Sequence, residues 1–200
     1  LWGLARVVSL EAAQLWGGLV DLDPADSASA QATKLLTEIS SPSIEDHIAY
    51  RGPDSRYVLR VAPSKPLTKR QPKLKADGAY LVTGGLGGVL QQVSRWMVDN
   101  GAKRLILTSR RGLGGADQQQ QEFVKELQDR GVTVEVVAVD VCNLEAMRAV
   151  MSSAPIAGIV HGAGVMTMET LATLTTPELA KVLAPKVQGS LNLHALSAGL

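Results

Sequence analysis

The period of apolar and polar positions changes along the chain, and those changes divide it. In residues 1–12, LWGLARVVSLEA, the positions Leu1, Leu4, Val7, Val8 and Leu10 recur at spacings near three and four, which predicts an amphipathic helix. Residues Trp16 to Leu22 read as a strand, and Asp23-Pro24-Ala25-Asp26-Ser27 supplies turn and cap chemistry for a helix running to about Ile39. Ser40-Ser41-Pro42-Ser43 breaks that helix. His47–Arg51 and Tyr57–Val61 are β-prone runs around Gly52-Pro53-Asp54-Ser55, the pattern of a hairpin. Glycines 17 and 18 precede a strand rather than a helix, so they carry no phosphate-binding signal.

Periodicity then stops. Residues 62–77, APSKPLTKRQPKLKAD, hold three prolines and five Lys/Arg, and read as an extended basic linker between two domains, 1–61 and 78–200. Beyond it, strand and helix alternate. Near-continuous apolar strands are predicted at Ala79–Val82, Arg104–Thr108, Thr133–Val139 and Ile156–Val160. Amphipathic helices are predicted at about Val89–Asn100, Asp117–Arg130 and Leu144–Met151, with Gly101 and Gly131 placed as C′ glycines. Apolar strands alternating with helices imply a parallel sheet covered on both faces, a doubly wound α/β fold with its ligand site at the C-terminal strand ends.

Composition narrows the function classes. Apolar residues make up 46% of the chain, and no stretch has the uninterrupted apolar length of a membrane span. Lys and Arg number 20 against 19 Asp and Glu, which gives no reason to expect a nucleic-acid footprint. The single Cys142 excludes an internal disulfide and fits a reducing cytoplasm. No metal site is assigned. The chain opens and closes in mid-pattern, which reads as a piece of something longer.

The strand ends hold the candidate chemistry. Thr83-Gly84-Gly85-Leu86-Gly87-Gly88 leads a strand into a helix, the arrangement that sets a diphosphate against backbone N–H groups at a helix N-terminus. After the second strand, Ser109-Arg110-Arg111 has two arginines and no carboxylate, which suits the 2′-phosphate of NADPH better than the free ribose of NADH. Asp140-Val141 follows the third strand; its carboxylate would either accept from the adenine amine or cap the next helix. His161-Gly162-Ala163-Gly164 follows the fourth, small residues that admit a cofactor ribose. His161 by itself reads more readily as a packed core histidine than as a catalyst.

These blocks carry a resemblance. TGGLGG at 83–88, LTSRRG at 107–112, AVDV at 138–141, HGAGV at 161–165 and LAPKVQGSLNLH at 183–194 are similar, in order, to the ketoreductase domain of modular polyketide synthases, in the short-chain dehydrogenase/reductase superfamily. LWGLARVVSLE, WGGLVDL and AYRG in residues 1–61 resemble that family's non-catalytic structural subdomain. The resemblance implies a Rossmann-like fold, incomplete at its C-terminus, behind part of a smaller α/β subdomain. It implies NADPH on Gly84, Gly87 and their neighbours, Arg110 on the 2′-phosphate, and Lys186 as the catalytic lysine. It further implies reduction of a β-keto group on a phosphopantetheine-bound chain of an acyl carrier protein, beside other synthase domains. The family's serine and Tyr-x-x-x-Asn follow the lysine and have no counterpart before Leu200, and Tyr50, Tyr57 and Tyr80 lie in other contexts, so the chain alone is expected to reduce nothing. A silent ketoreductase-like structural domain and a free-standing oxidoreductase are the alternatives.

Two positions depart from the family pattern. Leu90 stands where a further glycine closes the loop, which implies overpacking of helix on strand or a shifted helix start, and weaker cofactor binding. Met166-Thr167-Met168 stands where one stereochemical class carries Leu-Asp-Asp, so membership of that class has no support.

Overall fold

The computed structural model describes residues 2–41, 44–52, 55–64 and 73–199. The core of the linker expected at 62–77 (residues 65–72), the Pro53-Asp54 tip of the hairpin and Pro42-Ser43 of the helix break lie outside the described residues. The chain forms two compact units, Leu1–Leu67 with Glu169–Thr173, and Thr68–Met168 with Leu174–Leu200.

The first unit contains α1 (Trp2–Glu11), β1 (Leu19–Asp21), α2 (Ala28–Ser40), β2 (His47–Arg51) and β3 (Ser55–Val58). Its sheet has the order β1-β2-β3, with β1 parallel and β3 antiparallel to β2. Two strands are shorter than their apolar runs. β1 begins only at Leu19, because Gly18 has φ +123° and leaves the extended region just before it. β3 ends at Val58 and Val61 is fully exposed, so the last apolar residue of that run has no sheet to pack into. Ser27 caps α2, its side chain accepting from Ala30 N at 3.3 Å. Polar anchors complete the unit: Trp2 Nε1 donates to Asp21 Oδ2 at 3.2 Å, and Trp16 Nε1 to Asp46 Oδ2 at 3.0 Å.

The second unit follows the expected alternation: β4 (Ala79–Thr83), α3 (Gly88–Asp99), β5 (Arg104–Ser109), α4 (Gln118–Asp129), β6 (Thr133–Ala138), α5 (Leu144–Ser152), β7 (Ile156–His161) and α6 (Thr176–Ser197). All four strands are parallel, in the order β6-β5-β4-β7. Every residue of β4 is buried, as required of a strand covered on both faces. Its alternation sorts the core into two layers. Tyr80 and Val82 pack with Met97, Phe123 and Leu127 beneath α3 and α4; Ala79 and Leu81 pack with Met147, Val150 and Leu193 beneath α5 and α6.

Strands β4, β5 and β6 wind outward in one direction and β7 begins on the opposite side of β4. The chain therefore reverses between β4 and β7, and a crevice opens at the C-terminal strand ends beside that reversal. No described helix is long and apolar enough to cross a membrane.

Candidate functional site

A cleft of about 830 Å³ occupies this position. Its walls are the glycine loop and first turn of α3, the loop after β5, the loop after β6, the loop after β7, and one face of α6. Gly84, Leu86, Gly87, Gly88, Ser109, Arg110, Asp140, Val141, Gly162, Ala163 and Gly164 all line it. Four strand ends far apart in sequence thus meet at one surface.

The glycine loop is held from below before any ligand arrives. Gly85 N donates to Thr108 O at 3.1 Å and Gly87 N to Gly84 O at 2.9 Å. Two side-chain amides, Gln91 Nε2 and Gln120 Nε2, each donate to Leu86 O at 3.1 Å. Gly84 has φ +70°, and a Cβ there would lie 2.9 Å from the Ala163 backbone, so only glycine fits between the loops after β4 and β7. Gly87 is the N-cap of α3 and makes no side-chain cap, so the first-turn N–H groups, together with the positive end of the helix dipole, have no side-chain cap among the described residues and suit an anion.

Thr83, Gly85 and His161 lie behind this surface. Thr83 is fully buried; its Oγ1 is 2.6 Å from His161 Nδ1 and accepts from Ala163 N at 3.4 Å. His161 Nε2 stands 2.9 Å from Pro185 O, which only accepts, so in the neutral ring Nε2 donates and Nδ1 accepts the Thr83 hydroxyl. Both ring nitrogens are engaged within the protein, an anchored histidine rather than an acid or base open to the cleft.

The cleft lining is cationic, with two arginines in the loop after β5 and one lysine on α6. Arg110, Arg111 and Lys181 line the cleft against a single carboxylate, Asp140. The Arg111 chain lies over Gly115, where a Cβ would be 3.2 Å from Arg111 Cδ. Ser109 Oγ is buried with no hydrogen-bond partner among the described residues. Arginines at one end of the cleft and an uncapped helix N-terminus at another suit an anionic nucleotide ligand such as a nicotinamide dinucleotide.

Asp140 is not a helix cap. Its Oδ1 accepts from Cys142 N at 2.8 Å, while Asn143 caps α5 by accepting from Ala146 N at 3.0 Å. The asparagine sits at the Ncap position itself, and Asp140 is left to turn the chain along the cleft wall. Burial, then the neighbouring Asp140, pushes the Cys142 thiol up in pKa.

Lys186 is exposed on α6 and does not line the cleft; a Cβ on Gly164 would be 3.4 Å from its Nζ, so its ammonium stands beside the loop after β7. Tyr80 of β4 is buried beneath α3 and α4 with its hydroxyl accepting from Lys75 N at 2.7 Å, and no tyrosine lines the cleft among the described residues. Leu90 does not displace the start of α3, which begins at Gly88. The leucine is accommodated because the residue facing it, Gly162, has no side chain.

Residues 78–199 match the family described as KR domain. Over 214 residues the chain is 36% identical to a 6-methylsalicylic acid synthase of Arthrobotrys oligospora, covering 98% of this chain and 12% of that one. It is 36% identical over 204 residues to erythronolide synthase EryA3 of Saccharopolyspora erythraea, covering 99% and 6%. Among solved structures, it is similar to an A-type ketoreductase from a modular polyketide synthase, with TM-score 0.82, 34% identity, and coverage of 100% of this chain and 43% of that one. A second is the PlmKR1 ketoreductase from the first module of phoslactomycin biosynthesis in Streptomyces sp. HK803, with TM-score 0.79, 34% identity, and coverage of 100% and 46%. The chain spans 12% or less of these two synthases and under half of each solved ketoreductase.

Proposed function

The chain belongs to the KR domain family, the ketoreductase domains of modular polyketide synthases within the short-chain dehydrogenase/reductase superfamily, and from that premise we propose that its cleft is the NADPH site of a β-ketoacyl reductase. The substrate class is a β-ketoacyl thioester on the phosphopantetheine of an acyl carrier protein, delivered beside other synthase domains, and the product is the β-hydroxyacyl thioester.

NADPH supplies the hydride when bound. The residues of this chain bind and orient it. The N–H groups of the α3 first turn take the diphosphate, and Gly84 and Gly87 give the close backbone approach this needs. Arg110 takes the 2′-phosphate through charge-assisted hydrogen bonds, with Ser109 at the base of its loop. Asp140 and Val141 border the adenine, and Gly162, Ala163 and Gly164 leave room for a ribose. Lys186 is assigned the catalytic cation: an ammonium beside the loop after β7 favours charge developing on a reacting oxygen and lowers the pKa of a phenol acid placed next to it.

One observation carries this reading: the uncapped N-terminus of α3 and Arg110, from the loop after β5, line the same cleft. Calorimetric titration of the chain with NADPH and NADH tests it. NADPH is expected to bind about tenfold tighter or more. Equal affinity, or preference for NADH, overturns it.

A further inference from the structure

Leu90 occupies the cleft wall where the first turn of α3 faces the end of β7. It lines the cleft with Gly88 and Val89 on its own side and Gly162, Ala163 and Gly164 opposite. The contact with Gly162 is direct: a Cβ there would stand 2.6 Å from Leu90 Cγ and 2.8 Å from Cδ1. Strand order makes this position asymmetric. A two-part nucleotide held by its diphosphate at the α3 N-terminus sends one half over β5 and β6 and the other toward β7. The guanidinium groups of Arg110 and Arg111, the orphan Ser109 hydroxyl and the Asp140 carboxylate belong to the loops after β5 and β6. The phosphorylated adenosine therefore goes that way. The other half is directed at the gap between α3 and β7, and there Leu90 presents an isobutyl group with no donor or acceptor.

We propose that Leu90 divides the cleft into a retained adenosine-bisphosphate site and an obstructed nicotinamide-riboside site, so that the nicotinamide half adds no affinity. This rests on the NADPH reading of the cleft. The selectivity is set by one side chain seated on Gly162, and the phosphate contacts are independent of it.

The test compares NADPH with adenosine 2′,5′-bisphosphate on the full chain by calorimetry, for wild type, Leu90→Gly and Leu90→Ala. The alanine variant removes the isobutyl group without placing a glycine in the first turn of α3, where it would weaken the helix. Wild type is expected to bind the bisphosphate as tightly as NADPH. Both variants are expected to bind NADPH about tenfold tighter while the bisphosphate stays within about twofold. Wild type binding NADPH far more tightly than the bisphosphate, with the ratio unchanged in both variants, overturns the proposal and leaves the cofactor reading standing. Absence of binding by either ligand in all three proteins overturns the cofactor reading itself, and the proposal with it.

Discussion

Thr83 Oγ1 and His161 Nδ1, seventy-eight residues apart in sequence, stand 2.6 Å from each other and tie the C-terminal ends of β4 and β7 together. His161 Nε2 carries the link on to the Pro185 carbonyl of α6 at 2.9 Å, and Gly162 N donates to Thr83 O at 3.0 Å. The two strands on either side of the chain reversal are thereby fixed in register where the cleft needs a rigid floor.

Thr83→Val keeps the shape of the fully buried side chain and removes its oxygen. His161 Nδ1 and Ala163 N lose their partner without gaining water. Urea unfolding is expected to show a loss of about 1–3 kcal/mol, the usual cost of orphaned polar groups. A change within error would mean the hydroxyl is not part of the fold's support.

The Leu90 side chain fills the space that a side chain at position 162 would need, since a Cβ there would stand 2.6 Å from Leu90 Cγ. Gly162→Ala is therefore expected to destabilise the chain, and to be tolerated once Leu90 is shortened to alanine. In the double-mutant cycle with Leu90→Ala, a coupling of about 1 kcal/mol or more is expected. Additive effects would show that the two positions are not in contact.

Gln120 serves two elements. Its Oε1 accepts from Asp117 N at 3.1 Å and closes the capping box of α4, while its Nε2 donates to Leu86 O at 3.1 Å and holds the glycine loop. Gln120→Glu keeps the capping oxygen, loses the donor and sets a carboxylate on the cleft wall. NADPH affinity is expected to fall about tenfold with little loss of melting temperature; an equal loss in both would place Gln120 in the helix alone.

Much of this arrangement was legible in the chain. The boundaries of β4 and β5 fall within one residue of their apolar runs, because a strand buried on both faces has an almost continuous apolar signature; those of β7 do so too, although most of it is only half-buried. Gly101 and Gly131 take φ of +107° and +78° at the ends of α3 and α4, as their positions after the apolar periods imply. The first unit was less legible: strands exposed on one face carry fewer apolar constraints, so β1 and β3 are shorter than their hydrophobic runs. The partners inside the site were not legible. Asp-x-x-Gln at 117–120 announces a capping box, but nothing local tells that the same glutamine reaches Leu86. α6 runs through Pro185, which is buried, and nothing local tells that its carbonyl pairs with His161 Nε2. Lys181 reads as one more surface lysine until the fold brings it to the cleft.

The ion pair between α3 and α4 has a predictable pH dependence. Arg95 holds Glu126 through Nε at 3.0 Å and Nη2 at 2.7 Å, and lies 5.0 Å from the Phe123 ring centre. Its guanidinium lowers the Glu126 pKa below the ordinary 4.5. A carboxyl depressed in the folded state contributes stability that is fully present above its unfolded pKa and lost as pH falls through the folded value. The pair is partly exposed, so its contribution is about 0.5–1 kcal/mol. Wild type is expected to exceed Glu126→Gln by this amount near neutral pH, and the gap is expected to close below about pH 4.5. A gap that does not narrow at all as pH is lowered below about 4.5 would assign the effect to packing against Phe123 instead.

On the proposed NADPH reading of the cleft, Arg110 is the residue expected to separate the two nicotinamide cofactors. It lies at the exposed mouth of the cleft next to the buried Ser109 Oγ, and Asp140 is the one carboxylate lining the same space. A 2′-phosphate placed there gains a charge-assisted pair that a 2′-hydroxyl does not. Arg110→Ala is expected to weaken NADPH binding about tenfold to a hundredfold, the worth of a hydrogen bond to a charged group, and to leave NADH unchanged. Arg111→Ala provides the comparison. Its chain is laid over Gly115, so a smaller effect is expected from its removal. Equal losses for the two arginines would mean that the mouth attracts phosphate through its summed charge rather than through one contact. A loss for NADH as large as that for NADPH would place Arg110 on the diphosphate, and the 2′-phosphate elsewhere.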